Sequence, residues 1–110
     1  MEAVMAWVYL LIAGLLEIVW AFFMKQSDGF TKTFPTVMTL VAAAASFGLL
    51  SVSMKSLPLG TAYVVWTGVG AVGAFLLGIA FLGEAANVMR IAAGSLIIAG
   101  LVLMKISTPG

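Results

Sequence analysis

Charges are nearly confined to the breaks between four long apolar runs. Ala3 to Met24 is uncharged except for Glu17, and Thr33 to Met54 is uncharged throughout. Ser56 to Gly83 carries no charge, and Ala85 to Met104 carries only Arg90. A helix that crosses a bilayer needs about 20 apolar residues at about 1.5 Å each. The pattern therefore predicts helices near 4–24, 34–54, 58–82 and 86–104, in one all-α transmembrane domain spanning 1–110. Composition agrees: 64 % of the residues are hydrophobic and 8 % charged. A soluble domain would carry about 25 % charged residues. Strands are the poorer reading, because a transmembrane barrel needs alternating polarity and four strands cannot close one. The first run does not read as a signal peptide, since it lacks a basic flank and holds a carboxylate inside it.

The breaks carry turn and cap chemistry. Asp28-Gly29 supplies a turn after the first helix. Pro35 and Pro58 stand near the starts of the second and third helices, where a missing N–H costs least. Asn87 can cap the fourth.

Several functions are disfavoured. A net charge of +1 without a basic cluster gives no footprint for nucleic acid. With no cysteine and no histidine, thiolate chemistry and ordinary zinc or haem ligation are excluded. No cofactor or metal set and no acid/base or nucleophile constellation stands out, so an enzyme is the weakest reading. The lipid bilayer is the expected surrounding.

Loop charges bear on insertion. An even number of helices puts both termini on one side with Lys55 and Lys105; Lys25, Lys32 and Arg90 fall on the other. Two basic residues against three give almost no orientation bias. Such a chain can insert both ways up, and opposite copies can pair; a small bias fixing one orientation is the alternative. One four-helix protomer also has little room for a pathway, which pairing would supply. Ala93, Gly94 and Gly100 permit close helix contact on the fourth helix, although small residues are common in all membrane helices.

Glu17 is the main functional clue. It lies inside its span, close to mid-bilayer, where a charged carboxylate costs at least about 2.5–3.5 kcal/mol. Burial disfavours the charged form, so the group can exchange a proton with an arriving cation. That is the minimum a proton/cation antiporter requires. The bland alternative is a permanently neutral acid bonded to a neighbouring helix. Trp20 stands one turn on, with Ala13, Gly14, Ala21 and Met24 on the same face. The small residues leave space for a ligand, and Trp20 can stack on a planar cation or donate its indole N–H. The third helix offers Thr61, Tyr63, Trp66 and Thr67, where Tyr63 and Trp66 share a face; an interface belt is the other reading for Tyr63. Ser46 can bond Glu17 across helices or its own preceding turn. Gly68, Gly70 and Gly73 can bend the third helix or admit a neighbour. Glu84 and Arg90 read as surface groups, solvated or snorkelling.

Ala13-Gly-Leu-Leu-Glu17, Met24-Lys-Gln-Ser-Asp-Gly-Phe-Thr31 and Leu57-Pro-Leu-Gly-Thr-Ala-Tyr63 resemble the small multidrug resistance transporters, over nearly the whole chain. Glu17-Ile-Val-Trp20-Ala, the run Gly60 to Gly73 and Gly83-Glu84 look like the guanidinium exporter branch of that family. The resemblance implies a bacterial inner-membrane, multi-pass antiporter acting as an antiparallel homodimer. It implies that guanidinium and protons share a central site holding Glu17 from each protomer. Gly14, Trp20, Ser46, Tyr63 and Trp66 would line it, and the third helix would bend near Gly68 and Gly70. Val64 and Gly48 depart from the family pattern; the first would tighten the site and the second loosen the second helix. A quaternary-ammonium or polyaromatic drug exporter is the competing transport reading. A non-transporting member of a hetero-pair is the competing reading of another class.

Overall fold

A computed structural model describes residues 2–108, with side chains described from Val4. Met1, Pro109 and Gly110, which the expected domain includes, lie outside the described residues. The helices are α1 (Glu2–Gln26), α2 (Thr33–Ser53), α3 (Leu59–Phe81) and α4 (Val88–Ser107). No strand occurs among the described residues. All four helices are long and apolar enough to cross a membrane. In hydrocarbon the backbone must satisfy its own hydrogen bonds, and a helix does so within one segment.

The ends differ from the expected bounds by one to three residues, and local chemistry explains several. α4 starts at Val88 rather than 86 because Asn87 is the cap: its side chain accepts the Arg90 backbone N–H at 2.9 Å. Pro58 is likewise the cap of α3, in an extended conformation, so that helix starts at Leu59. Pro35 is the third residue of α2, where its missing N–H has no intrahelical acceptor to forgo. Gly83 ends α3 with φ 70°, and the next N–H, of Glu84, returns to the Gly78 carbonyl.

The α1–α2 loop is tighter than a simple Asp-Gly turn. Asp28, Gly29 and Phe30 all have positive φ, at 51°, 72° and 66°. The left-handed region disfavours side chains with a Cβ by about 1–2 kcal/mol. Buried Ser27 holds the loop: its hydroxyl donates to the Met24 carbonyl at 2.6 Å and accepts the Phe30 N–H at 3.0 Å.

α1 packs against both α2 and α3, whereas among the described residues the α4 backbone approaches only α3. The core gathers Ala6, Leu10 and Ala13 of α1, Leu50 of α2, Leu57, and Ala62, Val65 and Trp66 of α3. Glycine notches lock α1 to α3. A Cβ on Gly14 would lie 2.7 Å from Val69 Cγ1, and one on Gly73 would strike Ile18. α4 stands apart: 6 % of its span is buried, against 22–28 % for the other three. It is held at its start by Arg90, whose guanidinium lies 5.1 Å from the Phe75 ring centre and 3.6 Å from Glu84. At its end, Lys105 lies 4.7 Å from the Trp7 ring centre.

Candidate functional site

Glu17 is half-buried on α1, facing α3. Its Oε1 is buried and has no hydrogen-bond partner among the described residues. The carboxyl lies against Gly70, where a Cβ would clash with Oε1 and sit 2.7 Å from Cγ. The indole N–H of Trp20, one turn further on, is also buried without a partner. A lone acceptor and a lone donor thus stand close together along one helix. Unpaired buried polar groups cost about 1–3 kcal/mol each.

Ser46 takes neither of its expected partners. Its hydroxyl is fully buried, donates to the Ala13 carbonyl at 2.7 Å and accepts the Trp66 indole N–H at 3.0 Å. It joins α2, α3 and α1 one turn before Glu17, rather than bonding the acid or its own helix. The reason is geometric: Ala13 is small enough for α2 to approach the α1 backbone at that level. Trp66 is nearly buried and fixed by this bond, and its ring meets Tyr63 with centroids 5.6 Å apart. Tyr63 is half exposed and lines a groove with Val64, Thr67 and Ile97.

Phe47 completes an aromatic wall that sequence reasoning did not single out. Its ring lies 5.6 Å from Trp66 and 6.2 Å from Trp20, so three elements present one row of rings near Glu17. An aromatic next to Ser46 was the available signal, but a Phe in a membrane helix carries no mark of its own.

Other expected residues sit differently. Gly14 is buried, and Val69 takes the space beside it, so within one protomer it packs α3 rather than opening room for a ligand. Thr61 lies 3.3 Å from the Thr108 hydroxyl, away from the acid. Thr67 and Val64 line an outer groove with Ile97, so within the protomer Val64 does not tighten the Glu17 surroundings. Gly48 is exposed, with open space where a Cβ would be. α3 stays helical through Gly68 and Gly70; Gly68 admits Leu101, as Gly70 admits Glu17. On α4, Gly94 is buried against Phe75, with 3.2 Å from a Cβ to the ring, so its contact is made inside the protomer. Ala93 and Gly100 are exposed.

A groove of about 480 Å³ between α1 and α3 is lined by Ile18, Val19, Phe22, Phe23, Leu77 and Phe81 among others, and does not include Glu17. That groove leaves the acid out; Glu17 lies instead at the α1–α3 contact, against Gly70.

A family model described as Small Multidrug Resistance protein matches residues 5–107. A guanidinium exporter of Yersinia pseudotuberculosis is 55 % identical over 104 residues, covering 94 % of this chain and 100 % of that protein. A guanidinium exporter of Escherichia coli strain K12 is 54 % identical over 104 residues, covering 94 % of this chain and 99 % of that protein. One from Citrobacter freundii is 51 % identical over the same length. With its four spans, the chain belongs to the small multidrug resistance family, as a multi-pass protein of the bacterial inner membrane.

Proposed function

We propose that the chain exports guanidinium and small guanidinyl cations in exchange for protons. The observation that carries this is Glu17: a carboxyl in the first span, beside a wall of Trp20, Phe47 and Trp66, in a chain similar to guanidinium exporters. Guanidinium is planar with N–H donors in its plane, which suits a carboxylate at the edge and ring faces above and below. A proton and the cation compete for the same oxygens, so each weakens the other, and exchange follows.

The working unit is an antiparallel homodimer of protomers each formed by residues 1–110. Two features support it. α4 is mostly uncovered, with Ala93 and Gly100 exposed on it. The loop charges are balanced, two against three, which favours insertion both ways up. Glu17 of each protomer would then meet in a shared centre, lined by Gly14, Trp20, Ser46, Tyr63 and Trp66. A bend near Gly68 and Gly70 would let that centre open to either side. Turnover is transport and not covalent chemistry.

The test is uptake into proteoliposomes under an imposed pH gradient, comparing guanidinium with tetrapropylammonium. Guanidinium is expected to move much faster. Equal rates would replace this reading with a quaternary-ammonium or polyaromatic drug exporter, whose ligands lack N–H donors and need mainly ring faces and room.

A further inference from the structure

Glu17 Oε1 has no donor among the described residues, yet it is buried, because the carboxyl lies in the notch left by the missing side chain of Gly70. We propose that Gly70 is a positioning residue whose notch is the resting seat of the protonated Glu17 carboxyl, and that an arriving cation draws the carboxylate out of it. This inference rests on the antiport reading and deepens it.

The reason is chemical. A seat walled by a glycine Cα and offering no N–H or O–H accepts a neutral acid and rejects a carboxylate, which needs donors for its lone pairs. Within the protomer the other groups in reach do not change this. α2 contains no ionisable side chain, and Tyr63 is the one ionisable residue of α3. Tyr63 is half exposed and stacked on Trp66. On α1 itself, Tyr9 and Lys25 lie about two turns from Glu17. The α4 backbone, with Arg90 and Lys105, does not approach α1. In the dimer the partner's Glu17 adds a second acid, which further disfavours two carboxylates at once. The Ser46 hydroxyl and Trp66 N–H are committed to each other and to Ala13, so they offer the seated carboxyl nothing. Outside the seat, Trp20 has a free N–H one turn away. The protonated group thus has a place where its buried oxygen meets no donor, and the ionised group has a reason to leave it. That separation lets one side chain serve two ligands in turn.

Gly70→Ala fills the seat. Without its seat Glu17 holds the proton less firmly, so over the wild-type titration range guanidinium displaces less of a proton and the pH dependence there flattens. Gly73→Ala is the control: it crowds the same α1–α3 contact through Ile18 without touching the acid. In purified protein, wild-type affinity is expected to fall by up to about tenfold for each unit the pH drops through the titration range. Gly70→Ala should bind but lose about threefold or less per unit, while Gly73→Ala keeps the wild-type steepness. A wild-type slope in Gly70→Ala, or equal flattening in Gly73→Ala, overturns the proposal.

Infrared spectroscopy of the wild type keeps the question decidable if the variants fail to fold or if guanidinium is not the substrate. The Glu17 acid C=O band, assigned by its loss in Glu17→Gln, should appear at low pH at the frequency of a carbonyl without a hydrogen bond. A band at the hydrogen-bonded frequency would show that the seat is not empty of donors and would refute the inference. Absence of guanidinium binding at any pH would instead refute the antiport reading and leave the infrared result standing on its own.

Discussion

Ser46 offers the sharpest structural test, because one hydroxyl joins three helices. Ser46→Ala removes the 2.7 Å bond to the Ala13 carbonyl and leaves the Trp66 indole N–H, 3.0 Å away, with no acceptor. Ala13 still accepts within its helix, so the larger loss falls on Trp66, which is 7 % exposed. An orphaned buried donor costs about 1–3 kcal/mol. Hydrogen bonds between membrane helices average about 0.6 kcal/mol with a maximum near 1.7, because the unfolded chain in a membrane also finds partners. We expect a loss of about 1 kcal/mol for Ser46→Ala. Trp66→Phe removes the same bond from the other end and also costs ring packing. The double mutant should therefore recover about 0.6–1.7 kcal/mol relative to the sum of the singles. The assay is reversible unfolding in mixed detergent micelles on all four proteins. Strict additivity would mean that Ser46 and Trp66 do not interact and that the aromatic wall is set by packing alone. Guanidinium binding should weaken in Ser46→Ala as the Trp66 ring loosens against Phe47 and Tyr63, where ring centroids lie 5.6 Å apart in both pairs.

Other expectations follow from single contacts. Asn87→Ala removes the cap of α4 and should cost about 1 kcal/mol in the same unfolding assay, with Asn87→Ser restoring most of it. Gly73→Leu, far larger than the alanine control, should force α1 off α3 through Ile18 and abolish both folding yield and uptake; near-normal uptake would contradict the α1–α3 interlock. A single cysteine introduced near Thr108 should label in two populations, one exposed on each side of the membrane, whereas one uniform population would remove dual insertion.

The fold was legible because its signal is coarse. Four uncharged runs and the demand that hydrocarbon places on the backbone leave helices as the answer. Asn87, Pro58 and Gly83 mark ends through chemistry that acts locally, so the bounds moved little. Glu17 stood out because a carboxyl in an apolar run has no cheap explanation. What the sequence did not carry is which helix faces which. Ser46 could be seen as polar, but its acceptor, the Ala13 carbonyl, is a backbone atom that looks the same at every residue. Gly70 read equally as a bend or a close approach, and only the neighbouring carboxyl identifies the notch. Phe47 was invisible for the opposite reason: an aromatic in a lipid-facing helix is ordinary until Trp20 and Trp66 are found on either side of it. Gly94 looked free to meet another protomer because its partner, Phe75, is nineteen residues away on another helix.

Proton and cation are proposed to share one group, so the direct measurement is guanidinium affinity against pH in wild type and Glu17→Gln, over about three units around neutrality. If cation and proton compete for Glu17, lowering the pH weakens wild-type binding in a graded way, by up to about tenfold per unit. Glu17→Gln should lose coupled uptake while still assembling, since the amide keeps the side chain's shape but cannot titrate. An affinity in wild type that does not change with pH, or proton-driven uptake that survives in Glu17→Gln, would contradict the mechanism.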